Sequence, residues 1–251
     1  MVYFIGAGPG DPELITVKGA RLLAGCDVVI YTGSLVNPEI LNYCKKEAEV
    51  YNSAGMTLEE VLAVIKKAHA AGKKVARVHT GDPSLYGAVQ EQMDALSREG
   101  IPFKVIPGVS SFLAAAAAIP HELTLPGVTQ TVILTRVEGR TPVPAGEKLA
   151  ALAAHGSTMC IFLSVHMIEQ VAEELKTGGY AADTPVIVVE RASWPEERVI
   201  RGTLGDIAGK IKEAGITRTA LIMVGKAFAS DYSPSKLYDG SFGHGFRGPV
   251  Q

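Results

Sequence analysis

The stretch VYFIGAGPGDPELITVKGARLLAGCDVVIY, residues 2–31, decides how the chain folds. VYFIG (2–6) is a short apolar run that reads as a strand, Thr16 stands where a cap would open a helix over 17–24, and VVIY (28–31) is a second β-branched run. Strand, helix and strand in such short succession form a βαβ unit, which implies parallel strands. The first turn, GAGPGDPELIT (6–16), is crowded with glycine and resembles a phosphate-binding turn. Two tests fail. The dinucleotide fingerprint G-x-G-x-x-G requires a glycine where Asp11 stands, and the P-loop requires a lysine that does not follow Gly10. Pro9 has no N–H to offer an anion, and Asp11 would place a carboxylate against a pyrophosphate. The turn is suited to close approach by a ligand that is not a phosphate.

The alternation continues outward from this unit. Asn37, Pro38 and Glu39 make a helix start. TLEE (57–60) fits a capping box, with Gly72 at the far end of its helix. VARVH (75–79) is a strand that ends in a second glycine turn, TGDPSLYG (80–87), and a helix then runs to about Arg98. FKVI (103–106) is a strand broken by PGVSS (107–111), and the alanines of 112–118 make a closely packed helix. IPHELTLPGVTQ (119–130) changes the composition and reads as a domain boundary. Beyond it, 131–136, 158–163, 184–193, 198–204 and 219–224 read as strands, with 198–204 antiparallel and a helix over 206–213. The expected organisation is an α/β fold of two domains with mainly parallel sheets, 1–118 and 119–228, and a loosely ordered tail over 229–251.

Composition sets limits. The chain has 251 residues, 47% of them hydrophobic and 20% charged, with a net charge of −2. That suffices for one large or two small domains with real cores, and the balanced charge argues against a general nucleic-acid surface. Asp11 and Glu13 arrive before a signal-peptide core can form, and the longest apolar stretch, FLAAAAAI (112–119), is too short to span a bilayer. Cys26, Cys44 and Cys160 lie apart with no CxxC, as reduced packing thiols of a cytoplasmic protein do. No metal-ligand spacing appears among His69, His79, His121, His155, His166 and His244.

Three strand ends in the first half carry tight, small-residue turns: 6–12, 80–83 and 107–111. In open α/β sheets ligands collect at the carboxyl ends of strands, so one small molecule can lie across all three. The segments GAGPGDPELITVKGARLLAGCDVVIYTGSLV, HTGDPSLYG and VIPGVSS together resemble the tetrapyrrole methylase family, which methylates uroporphyrinogen and precorrins from S-adenosylmethionine. The resemblance continues through TPVIVVERASWPEERVIRGTL and TALIMVGKA, to about Ala227. Within the family, YTGSLV followed by HELTLPGVTQTVILTR is most similar to the enzymes acting at carbon 11 of precorrin-4 or its cobalt form in cobalamin biosynthesis.

The resemblance implies a donor of sulfonium and amino-acid chemistry, which explains a glycine turn without a phosphate signature. It carries S-adenosylmethionine contacts, with S-adenosylhomocysteine as product, onto Pro9, Thr80, Gly81, Asp82, Leu85, Ser110 and Ser111. In the second half it carries them onto Leu163, Ala192 and Ala220. It also implies a folded cofactor in a cleft between two domains, a precorrin acceptor and a homodimer; the balanced charge and the short apolar stretch add the expectation of no nucleic-acid or membrane partner. One position departs from the family: uroporphyrinogen methylases carry an aspartate after the VVxY strand, suggested as a base, and this chain has Thr32. That argues against uroporphyrinogen and leaves the catalytic base unassigned.

An acceptor with many carboxylates calls for arginines, which grip carboxylates with paired donors. Arg136 and Arg191 read equally as substrate contacts or solvated charge, Arg140 reads better as solvated charge, and Arg77, inside an apolar strand, reads as one half of a structural ion pair. His166 reads as a substrate donor or, better, a helix cap. Glu190 reads as an acid–base group or a partner of Arg191. Asp82 is expected to serve the polar end of the cofactor, because an anion beside the sulfonium stabilises reactant more than transition state. Three rivals differ in partner. An RNA or protein methylase is disfavoured by balanced charge and YTGSLV. A nicotinamide dehydrogenase would need a third glycine and an acidic residue closing the VVIY strand, and this chain has neither. A non-catalytic tetrapyrrole carrier would use the same cleft without the donor.

Overall fold

The computed structural model describes residues 1–139, 141–229 and 232–248. Its contacts divide the chain into two units, Met1–Ala118 with Arg191–Arg198, and Ile119–Glu190 with Val199–Gln251.

The first unit is built on five strands, β1 (Val2–Gly6), β2 (Val28–Tyr31), β3 (Glu49–Asn52), β4 (Val75–His79) and β5 (Phe103–Ile106), in the order β3-β2-β4-β1-β5. Every pairing is parallel. β1, β2 and β4 are nearly all buried, as parallel strands covered on both faces must be. One face packs Phe4, Ile30 and Val75 against Leu62 and Ile65; the other packs Ile5, Val29 and Val78 against Leu23 and Ile40. The helices are α1 (Val17–Ala24), α2 (Leu58–Ala70), α3 (Gln90–Arg98) and α4 (Ser111–Ala118). Thr16 caps α1 through Gly19 N–H, and α2 opens with the Thr57–Glu60 capping box. Gly72, at φ +71°, follows the end of α2. Asn37 caps a 3₁₀ turn, Pro38–Tyr43, rather than an α-helix. Edge strand β3 escapes the sequence pattern because three of its four residues are exposed.

The second unit holds β6 (Val132–Arg136), β7 (Thr158–Phe162), β8 (Pro185–Glu190), β9 (Arg198–Thr203) and β10 (Ala220–Val224), in the order β6-β7-β10-β8-β9. Helices α5 (Leu149–Ala153), α6 (Ile168–Thr177) and α7 (Ile207–Glu213) pack with it around one core that includes Leu149, Met159, Leu175, Val188 and Ile222. This sheet is mixed: β6 and β7 are parallel, while β10 runs antiparallel to both β7 and β8. A central strand buried on four of five positions, as ALIMV is, shows no direction in its composition. β8 stops at Glu190, three residues short of the expected end at 193, because Arg191 and Ser193 take positive φ of 48° and 67° and leave the sheet.

The buried thiols are chemically quiet. Burial pushes Cys26 up to about 11 and Cys160 up to about 12. No helix of the described residues is long and apolar enough to cross a membrane.

Candidate functional site

β4, β1 and β5 lie side by side and parallel, so their carboxyl ends bring the turns 6–12, 80–83 and 107–111 together. The turns touch through glycine. Gly81 N–H donates to Gly8 O at 2.7 Å and Gly8 N–H returns to Gly81 O at 3.3 Å. A Cβ on Gly108 would stand 2.2 Å from Gly81 O, and one on Gly6 would stand 2.6 Å from the same oxygen. Neither position admits a side chain unless the backbone moves. The glycines therefore serve turn-to-turn contact, which leaves main-chain groups rather than side chains at the rim.

Asp82 ties two of these turns. Its Oδ1 accepts from Ser84 N–H at 2.8 Å and its Oδ2 from Gly108 N–H at 2.9 Å. Thr80 and Leu85 are half-buried beside it. Ser110 is buried, and Ser111 opens α4. None of the three turns contains a lysine or arginine. Neutral hydroxyls, main-chain groups and a carboxylate suit a ligand without phosphate, in agreement with the failed fingerprints.

Residues 191–198 join the first unit and brace its first turn. Trp194 Nε1–H donates to Pro9 O at 3.0 Å, Asp11 N–H donates to Ser193 Oγ at 3.0 Å, and Asn37 Nδ2 donates to Gly10 O at 2.9 Å. A Cβ on Gly10 would lie 2.1 Å from Trp194 Cδ1, so only glycine lets the indole approach this turn so closely. Ala192 is buried in the same segment, and Arg191 pairs with Glu196 at 3.5 Å. Trp194 escaped the sequence reading; its one signal was being the chain's single tryptophan, amid charged residues.

Within the second unit, one end of the sheet gathers four other candidates. Arg136 closes β6 opposite Phe162, Leu163 follows β7 with φ +54° and 58% exposure, and Ala220 opens β10 opposite Glu190. Arg136 folds back on its own loop, donating to the carbonyls of Val137, Thr141 and Pro142 at 3.0–3.3 Å. His166 is exposed in the turn Val165–Met167. It is not the cap of α6, whose N-cap residue, Met167, makes no side-chain bond. Arg140 lies outside the described residues.

Arg77 overturns its expected ion pair. It is 6% exposed, and its partners are neutral: Gln92 Oε1 at 3.1 Å, Ile30 O at 3.3 Å and Thr32 Oγ1 at 3.3 Å. No carboxylate among the described residues pairs with it. Burial lowers its guanidinium to about 10, which leaves it charged at neutral pH. His79, two residues along the strand, is pushed down to about 3 by burial and by the charge of Arg77, so its ring is neutral. The Thr32 hydroxyl donates to Val78 O at 3.4 Å while accepting from Arg77.

A family model described as Tetrapyrrole (Corrin/Porphyrin) Methylases matches residues 1–208. The chain is 58% identical over 247 residues to a cobalt-precorrin-4 C(11)-methyltransferase of Methanocaldococcus jannaschii, covering 98% of this chain and 95% of the relative. The X-ray structure of a cobalt precorrin-4 methyltransferase, CbiF, superposes with a TM-score of 0.89 at 50% identity, covering 91% of this chain and 96% of that one. A uroporphyrin-III C-methyltransferase from Thermus thermophilus, complexed with S-adenosyl homocysteine, superposes with a TM-score of 0.77 at 32% identity, covering 90% and 97%.

Proposed function

The chain belongs to the tetrapyrrole (corrin/porphyrin) methylase family, and from that premise we propose that it is an S-adenosylmethionine-dependent methyltransferase acting at carbon 11 of precorrin-4, or its cobalt form, in cobalamin biosynthesis. The observation that carries the reading is the end-to-end likeness to a cobalt-precorrin-4 C(11)-methyltransferase, the relative covering 98% of the chain. The departure at Thr32 points the same way, since its hydroxyl is engaged by Arg77 and Val78 and is no base for a uroporphyrinogen ring.

S-adenosylmethionine, when bound, supplies an activated methyl group on a sulfonium. The chain's contribution is orientation and exclusion of water. In this reading the touching turns at Gly6, Gly81 and Gly108 present main-chain groups to the cofactor, with Pro9, Thr80, Asp82, Leu85, Ser110 and Ser111 around them. Leu163, Ala192 and Ala220 complete the contacts. Arg136, Arg191 and His166 are the proposed acceptor contacts. Of these, Arg136 has already committed three donor bonds to its own loop, and Arg191 is paired with Glu196. The reading includes a cytoplasmic homodimer, which light scattering tests as a particle of twice the 26.5 kDa chain mass.

The decisive experiment incubates the protein with precorrin-4, with and without cobalt, and S-adenosylmethionine carrying a ¹³C methyl group. Label at carbon 11 by NMR is the expected result. Label at another carbon, or none with either acceptor, would overturn the proposal.

A further inference from the structure

One face of the first sheet is apolar over most of its length. Phe4 and Ile30 flank Arg77 in register, and Val75 precedes it on the same face. At the carboxyl edge the same alternation turns polar, with Thr32, Arg77 and His79. A cavity of about 330 Å³ opens there within the first unit, lined by these three, by Gln92, and by Thr80 and Leu85. It is roomy for a ligand arm, given that one water occupies roughly 30 Å³ of liquid.

Arg77 meets this cavity as a buried cation without a counter-charge. Its Nε and Nη1 are held by neutral oxygens, and no described residue bonds Nη2. Isolated buried charge is costly, and proteins either pair such groups or use them. His79 is a second unsatisfied group: it is 4% exposed, and its Nε2 lacks a hydrogen-bond partner among the described residues. The single carboxylate on the lining is Glu91, which is exposed in the first turn of α3 and makes no ion pair with Arg77. The fold thus holds Arg77 oriented by Gln92, Ile30 and Thr32, with space rather than an acid in front of it.

We propose that this cavity seats one carboxylate side arm of the acceptor macrocycle, with Arg77 as its charged partner and Thr32 and Gln92 as the groups that aim it. The inference rests on the function proposed above for the identity of the acceptor. Thr80 and Leu85 belong both to the lining and to the candidate cofactor residues, so an arm anchored here holds the ring beside the methyl donor. The subsite selects acceptors that carry an acid at the matching corner of the ring. A second source of the same chemistry is the amino-acid carboxylate of the donor, and the test separates the two.

The probe is a fluorescent porphyrin octacarboxylate, titrated into the full chain, with its uncharged octamethyl ester as control. Arg77→Gln is expected to weaken octacarboxylate binding by about tenfold or more, to leave the ester unchanged, and to leave S-adenosylhomocysteine affinity within about twofold in calorimetry. Octacarboxylate affinity equal to wild type would overturn the proposal. An equal loss for S-adenosylhomocysteine would also overturn it, by giving Arg77 to the donor's carboxylate. If circular dichroism shows Arg77→Gln unfolded, Thr32→Val is measured in its place. Removing one aiming oxygen should then cost roughly threefold in octacarboxylate affinity, and no loss would overturn the subsite. The titration needs no methyl transfer. A wild-type chain inert toward both precorrins would sink the functional reading alone, and unaltered octacarboxylate binding in the variants would sink the subsite alone.

Discussion

At the scale of single residues, Asp82 and Trp194 do the work of holding loops still. Both carboxylate oxygens of Asp82 accept backbone N–H groups, one in its own turn and one at Gly108. Asparagine keeps one acceptor and turns an amide N–H toward the other donor. Asp82→Asn should therefore weaken S-adenosylhomocysteine binding by about tenfold. The chemical step should change less; calorimetry beside single-turnover rates checks both, and unchanged affinity contradicts the role. Trp194→Phe keeps an aromatic ring but removes the bond to Pro9 O and part of the packing on Gly10, and should cost at least about 1 kcal/mol in urea unfolding. Trp194→Ala also strips the indole from Gly10 and should cost more. Asp82 was legible in the sequence because TGDP sits at a strand end. Trp194 was not, because its partner lies 185 residues away.

At the scale of elements, the three glycine turns behave as one object. Gly108→Ala puts a methyl group 2.2 Å from Gly81 O, a backbone atom that cannot step aside without moving β4 or β5. The expected loss is about 1–3 kcal/mol of stability by chemical denaturation, with cofactor affinity falling alongside. Gly139→Ala is the control, since its Cβ meets nothing within 4 Å and stability should be unchanged. The parallel first sheet was readable from buried β-branched runs between helices. β3 was not, because an edge strand with exposed Glu49 and Val50 offers no apolar run. The direction of β10 was hidden as well: a strand buried on both faces has the same composition whichever way it runs.

At the scale of the whole molecule, the buried charge at the edge of the first sheet ties stability to pH. His79 has an ordinary value near 6.5 and is held near 3 in the folded chain. Below about 6.5 the unfolded chain takes up a proton that the folded chain refuses. The stability is thus present above that pH and lost as pH falls toward 3. By pH 5 the loss from this one ring is about 2 kcal/mol. Urea denaturation at pH 7 and pH 5 should show a drop of that order that His79→Gln removes. An equal drop in the variant would assign the acid sensitivity elsewhere. The sequence by itself determined the α/β class, the three carboxyl-end turns and the absence of a phosphate signature. Those features depend on local backbone freedom and on runs of residues that bury together. Only the tertiary structure decided that Arg77 faces a cavity instead of an acid, that Trp194 braces the first turn, and that the second sheet is mixed. Each of these is a meeting of residues far apart along the chain, and a counter-charge that is absent leaves no trace in local pattern.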